Sequence, residues 1–321
     1  MNGEINKQKN KNIFLFLILF IFVIVLSISI YIPSNFSFSP YSIDDYKSNH
    51  LKILVVGDVM LDRNVRNIIN KNGFDNFFSG VKDIIQNADI AVANLEGAFT
   101  TNPSITASLK SQELQFTFDP SLAPALSDLG FDVLGLANNH SYNYGKKGLE
   151  STRRYIGGAG MMYYGDPFNK DEISTIIVKN GIRVGFVGFH EFYYTNFDKV
   201  LLEIARIRKD VDVLIVSPHW GIEYQKNPTS KMKEWAHQFI DNGADIVIGA
   251  HPHIVGAIEE YKDKRIYYSL GNFAFDQYFS EATMNGLIVI VNVDKGKDGI
   301  NVSFEEIPMR VDRQGVRLGN K

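Results

Sequence analysis

Five short apolar runs, LKILVVGD, ADIAVANLEG, FDVLGLANNH, VDVLIVSPHWG and ADIVIGAHPH, constrain this chain more than any other feature. Each is a β-branched or Leu-rich stretch of roughly five residues, continuous enough to be buried on both faces of a sheet. Each closes on polar side chains. Between and after them lie helical patterns near Asn64–Asn70, Asp75–Asn87, Ser121–Leu129, Gly148–Gly157, Leu201–Lys209 and Ser230–Asn242. Strands alternating with helices predict an α/β domain, a sheet with helices packed on its faces. Beyond Ile254 the extended runs AIEEYK, RIYYSLGNF, GLIVIVNVD and INVSFEEIP predict a second, more antiparallel sheet. The domain is expected over residues 51–321.

Lys plus Arg number 33 against 36 for Asp plus Glu, a formal net charge of -3, and no long basic run appears in the domain, so nucleic acid is not an expected partner. With no cysteine, disulfides, thiolate metal sites, cysteine nucleophiles and a lipid-bearing cysteine are excluded. Ahead of the domain, Ile13–Ile32 is uncharged and apolar except for Ser27, Ser29 and Tyr31. At helical rise it spans about 30 Å, the thickness of a bilayer's hydrocarbon core. Lys7, Lys9 and Lys11 precede it, which predicts a cytoplasmic N-terminus (1–12), a single transmembrane anchor (13–32) and an extracellular domain on a Ser-rich linker (33–50). No A-x-A-like site follows the run, so the anchor is expected to stay uncleaved, with a cleaved signal peptide as the alternative.

Ligands of open α/β sheets gather beyond the carboxyl ends of the strands. Those ends carry Asp58, then Asn94 and Glu96, then Asn138, Asn139 and His140, then His219 and Trp220, and finally His251 and His253. They hold four of the seven histidines. One histidine at a strand end is more often structural, but five successive termini offering Asp, Glu, Asn or His form a metal-ligand set. Divalent Zn, Mn or Fe accept imidazole nitrogen and carboxylate oxygen, and two of them about 3.5–4 Å apart can share a carboxylate and a nucleophilic hydroxide. A nearby imidazole can then protonate the leaving oxygen, and hydrolysis of a phosphate ester is the expected reaction.

The runs GDVMLDR, NLEG, ANNHSYNYG, PHWGIEY, GADIVIGAHPH and YYSLGNFAFD resemble, in order and spacing, the signature blocks of the bacterial CapA family of capsule and poly-γ-glutamate synthesis proteins. The resemblance covers roughly Leu51 to Pro308. That family is similar to the calcineurin-like metallophosphoesterases, which implies a four-layer α/β/β/α sandwich of the metallo-dependent phosphatase type with two metals. By this resemblance Asp58 is the first-strand aspartate ligand at the catalytic centre, Glu96 the bridging carboxylate and Asn139 the asparagine ligand. His140 matches the histidine that donates a proton or steadies the transition state, and His219, His251 and His253 match the remaining histidine ligands. The resemblance also implies work on a capsular polymer, with membrane subunits of a polymer synthase and the anionic polymer as partners. A non-catalytic assembly or polymer-binding subunit and a stand-alone metallophosphoesterase are the alternatives.

Three positions depart from the pattern. Met60 stands where the superfamily has a histidine, and NLEG replaces the G-D-x-x-D motif, leaving the bridge to Glu96 with Asn94 beside it. Asn143 stands where an aspartate is usual, and an amide is not expected to orient His140 as a carboxylate would. Arg63 is expected to hold an anionic substrate by a bidentate contact, against a surface ion pair, with Asn94 also facing the substrate. Trp220 and Tyr224 are candidates to line a substrate groove, against a place in the core. Asp62 is expected to cap a helix, His190 to be structural, His237 to be packed or solvated, and Asn272 and Asp276 to shape a loop.

Overall fold

The computed structural model of the chain describes residues 49–107, 114–193 and 196–319. In chain order come β1 (His50–Val59), α1 (Arg63–Asn72), α2 (Phe74–Phe78), α3 (Lys82–Gln86), β2 (Ile90–Leu95), β3 (Ala98–Phe99) and β4 (Thr117–Phe118). They are followed by α4 (Leu122–Leu129), β5 (Val133–Gly135), α5 (Gly145–Gly158), β6 (Met162–Tyr164), β7 (Ser174–Lys179), β8 (Ile182–His190) and α6 (Phe197–Ile207). The remainder runs β9 (Val213–His219), α7 (Ser230–Asp241), β10 (Ile246–Ile248), β11 (Ile258–Tyr261), β12 (Lys264–Tyr267) and β13 (Asn272–Ala274). It closes with α8 (Glu281–Met284), β14 (Asn285–Gly296), β15 (Gly299–Asp312) and β16 (Gly315–Leu318).

Two large sheets result. One has the order β16-β15-β14-β1-β2-β5-β6 with β13 also paired to β1, and the other has the order β11-β12-β10-β9-β8-β7. The five apolar runs are therefore shared between them, three in the first sheet and two in the second. The runs beyond Ile254 do not build a sheet of their own, as the sequence suggested. β11 and β12 extend the second sheet, while β14 to β16 form an antiparallel wing on the first.

Alternation along β1 shows how the layers close. Leu51, Ile53 and Val55 enter a core shared with Val184, Phe186, Ile215 and Ile246 of the other sheet. Leu54 and Val56 point to the opposite face, into a core with Val65 and Ile69 of α1 and Leu126 and Leu129 of α4. A third core lies outside the second sheet, where α7 buries Met232, Trp235, Ala236, Phe239 and Ile240, the i, i+3, i+4, i+7, i+8 stripe of an amphipathic helix. Helix, sheet, sheet and helix are thus stacked in that order. Thr229 starts α7 by accepting a hydrogen bond from the Met232 backbone N–H.

The helix expected over Asp75–Asn87 is two short helices instead. The chain breaks at Gly80 because its backbone bridges Arg317 of β16, so close that a Cβ there would lie 2.8 Å from the Arg317 Cβ. Among the described residues no helix is long and apolar enough to cross a membrane. The run Ile13–Ile32 and residues 33–48 of the linker lie outside the described residues.

Candidate metal centre

Strand registry brings the polar termini together. Asp58 is paired with Asn94 of β2 on one side and Asn272 of β13 on the other. The β13 contact needs Gly57, since a Cβ at that position would lie 1.8 Å from the Gly271 carbonyl oxygen. In the second sheet His219 is paired with His190 and bridges to Ala250, which sets His251 beside it. The imidazole rings of His219 and His251 lie 4.9 Å apart, and those of His251 and His253 lie 5.8 Å apart.

Polar bonds cross between the sheets at this edge. Asn94 Nδ2 donates to Asp58 Oδ1 at 2.7 Å and lies 3.4 Å from His219 Nδ1, while Asn94 Oδ1 accepts from Asn138. Asn94 therefore ties the two halves together through its own amide. His219 Nε2–H donates to Asn139 Oδ1 at 2.8 Å. The His253 Nδ1–H donates to Asn272 Oδ1 at 2.9 Å and lies 3.2 Å from Asp58 Oδ2, leaving Nε2 3.8 Å from Glu96 Oε1. The His251 backbone N–H points at Asp58 Oδ2. His251 and His253 are both held in the left-handed region, with φ of 96° and 58°, a strained placement for a side chain with a Cβ and one that clusters at functional sites.

The electrostatics are unbalanced. Glu96 is fully buried, and among the described residues neither carboxylate oxygen has a hydrogen-bond partner. Burial, and next the Asp58 charge, hold its carboxyl well above the usual carboxylate range. Burial alone would lower His253, but Glu96 and Asp58 together outweigh it and raise the imidazole to about 9. Burial keeps His140 near about 4 and His251 near about 3, and it also holds His219 well below the ordinary histidine value. The His251 Nδ1 atom is buried and unpartnered as well. Orphaned carboxylate oxygens and imidazole nitrogens facing one another are the environment a divalent cation satisfies. Among the described residues two sets of three side chains bring ligand atoms within 4.8 Å of one another: Asp58, Glu96 and His253, and Glu223, His251 and His253. The donor chemistry fits divalent cations.

The remaining expected residues fall in distinct places. His140 stands over the same carboxylate, its Nε2 3.8 Å from Glu96 Oε1 and its ring 4.3 Å from Phe116. Asn143 does orient it: the amide oxygen accepts the His140 Nδ1–H at 3.0 Å and is itself fixed by the Phe116 backbone N–H. Met60 offers neither imidazole nor carboxylate in place of the absent histidine, and its sulfur accepts the Asp62 N–H. Arg63 lies 3.3 Å from the buried Asp276 carboxylate, with about a third of its side chain (31%) open to solvent. Asn272 also donates to Gln277 Oε1 and the Thr283 carbonyl, and Asp276 accepts from the Asn64 N–H.

Two expectations are corrected. Trp220 does not line a groove: its indole is 0% exposed, donates to the Tyr268 carbonyl and stacks on Phe239 and Tyr268 in the outer core. Asp62 makes no cap bond to α1 and instead accepts from Arg66, Ser104, Thr106 and the Thr117 N–H, stitching the loop before β4 to the helix. His190 donates through Nδ1 to the Pro167 carbonyl, but its buried Nε2 has no partner. His237 is paired with Glu259 and stacked on Tyr261. Glu223 was not singled out from the sequence. Its only signal there is a place in the PHWGIEY run, four residues after His219.

The profile of the bacterial capsule synthesis protein family PGA_cap matches residues 52–277. The capsule biosynthesis protein CapA of Bacillus anthracis is 30% identical over 262 residues, 75% of this chain and 64% of that protein. The PGA biosynthesis protein CapA of Bacillus subtilis is 29% identical over 287 residues, 84% of this chain and 74% of that one. The chain thus spans less than two thirds of the first relative's length. Among solved structures, a putative 5'-nucleotidase of Staphylococcus aureus in complex with alpha-ketoglutarate aligns with a TM-score of 0.53 at 15% identity, covering 84% of this chain and 54% of that one. The calcineurin-like phosphoesterase YfkN of Bacillus subtilis aligns with a TM-score of 0.50 at 17% identity, covering 80% and 90%. At such identity these two alignments speak for the fold alone.

Proposed function

Because the chain belongs to the bacterial capsule synthesis protein family PGA_cap, we propose that it serves a poly-γ-glutamate synthase through a cation-dependent, hydrolase-type centre. In this reading the uncharged run Ile13–Ile32 anchors it in the membrane, the domain lies outside the cell, and the synthase's membrane subunits and the anionic polymer are its partners. The observation that carries the centre is the buried Glu96 carboxylate, with no hydrogen-bond partner among the described residues, facing Asp58, His253 and His140.

Asp58, Glu96, Asn139, His219, His251 and His253 would hold the cations. Bound there, a divalent cation supplies Lewis acidity and a water acidified toward neutrality. The chain's own groups do the rest. Asn94 and Asn272 fix the ligands Asp58, His219 and His253 from behind, the outer-layer support that such sites require. His140 is neutral at physiological pH, and with Nδ1–H held by Asn143 its Nε2 is the atom that can take up a proton and return it to a leaving oxygen. Arg63, steadied by Asp276, presents its guanidinium to an anionic group, whether a phosphate ester or a carboxylate of the polymer.

A second reading, a non-catalytic assembly subunit, is favoured by one observation, the buried Met60 in place of a ligand. Metal content and hydrolysis of a model phosphodiester and of poly-γ-glutamate, measured on wild type and Glu96→Gln, separate the two. The catalytic reading expects bound transition metal and turnover in wild type, with turnover reduced about 100-fold or more in the variant. Bound metal without turnover selects the assembly subunit, and a wild type with neither metal nor turnover sinks the centre altogether.

A further inference from the structure

Glu223 is an exposed residue on the loop between β9 and α7, and exposed glutamates are ordinarily solvated. This one is not free to wander. The Tyr224 N–H donates to the Pro252 carbonyl at 2.8 Å, fastening the loop to the residue between His251 and His253. Upstream, the Gly221 N–H donates to Glu191 Oε2, also at 2.8 Å. Tyr224 sits at φ 64°, and its hydroxyl accepts from Gln277 Nε2 at 3.2 Å. The result is a carboxylate whose ligand atom lies within 4.8 Å of those of His251 and His253, and among the described residues the buried His251 Nδ1 has no hydrogen-bond partner.

We propose that Glu223 is an anionic ligand of the centre, closing from the solvent side a cation position formed by His251 and His253. The inference rests on the cation-binding reading above and goes beyond it by adding a ligand from the loop after β9. Met60 leaves the first sheet one donor short, and Glu223 supplies a donor from the second sheet instead. Because the added donor is carboxylate oxygen and not imidazole nitrogen, the balance of the site moves toward harder ions such as Mn²⁺. Tyr224 acts as a positioning residue, its backbone N–H pinning the loop that carries Glu223 to the Pro252 carbonyl.

The full-length chain, stripped with chelator and titrated with Mn²⁺ alone, tests this on wild type, Glu223→Ala and Glu223→Gln. The expected result is a Mn²⁺ affinity lowered about 10- to 100-fold in Glu223→Ala and less in Glu223→Gln, with the melting temperature of the metal-free proteins unchanged. Equal Mn²⁺ affinity in wild type and Glu223→Ala overturns the role of Glu223 and leaves the centre standing. A lowered melting temperature of metal-free Glu223→Ala assigns the residue to the loop's structure and overturns it too. A wild type that binds no Mn²⁺ overturns both.

Discussion

The two sheets contribute opposite chemistry to one edge. The first brings oxygen, from Asp58, Asn94, Glu96 and Asn139, with His140 as its one imidazole, and the second brings the nitrogen of His219, His251 and His253. Neither edge alone supplies the set Asp58, Glu96 and His253. The donor set exists only because the sandwich closes with Asn139 on His219 and His253 on Asp58. A cation would act as a clasp between the sheets: burial works against the Glu96 carboxylate on one side and holds His219 and His251 uncharged on the other.

Acid should separate the halves most strongly. His190, His140 and His251 have folded values near about 4, about 4 and about 3, below the ordinary 6.5. A depressed histidine stabilises fully above 6.5, and that stability is lost as pH falls toward the folded value. For His190, which is almost wholly buried, the loss is on the order of 3 kcal/mol. Denaturant unfolding of chelator-treated protein between pH 7 and pH 4 should therefore show falling stability, flattened in His190→Phe. Glu96 has the opposite sign, because a carboxyl raised by burial gains from protonation. The Glu96→Gln exchange removes the charge that chiefly raises His253, so in chelator-treated protein the His253 imidazole, followed by NMR, should titrate at lower pH in the variant than in wild type. An unchanged midpoint would mean that Asp58 alone holds that proton. The smallest effect is expected behind the second sheet. Trp220→Phe, which loses the bond to the Tyr268 carbonyl, should cost about 1 kcal/mol and leave Mn²⁺ affinity unchanged, and a changed affinity would return Trp220 to the site.

The strand ends were legible because burial on both faces demands continuous apolar runs, so the polar residues that stop them stand out. Which sheet each run joins was not legible, because a doubly buried strand reads alike in either, and the antiparallel wing β14–β16 is joined to β1 by registry that no local pattern records. Trp220 was misread because a strand-end indole can turn to either side, and here the close approach of Gly249, where a Cβ would lie 2.6 Å from Trp220 Nε1, makes room for it in the outer core. Asp62 looked like a cap, yet Arg63 begins α1 at φ 53° and the Asp62 side chain is taken by Ser104 and Thr106, more than forty residues away. The reading of Asn143 failed because an amide oxygen accepts the His140 N–H as a carboxylate oxygen would, only without the charge. Glu223 escaped notice because only tertiary contact carries an exposed loop glutamate to two buried histidines.

The His251–Pro252–His253 turn has a kinetic consequence. Its left-handed residues flank a proline of fixed φ, and the Pro252 carbonyl is bonded to the Tyr224 N–H, so the chain's own backbone contacts hold the histidine half of the cage in shape. A turn so held would need little ordering on capture, and the speed of loading would then be set by how fast each ion sheds its own water shell. Among ions of similar affinity, those that dehydrate slowly, Mg²⁺ above all, would arrive last.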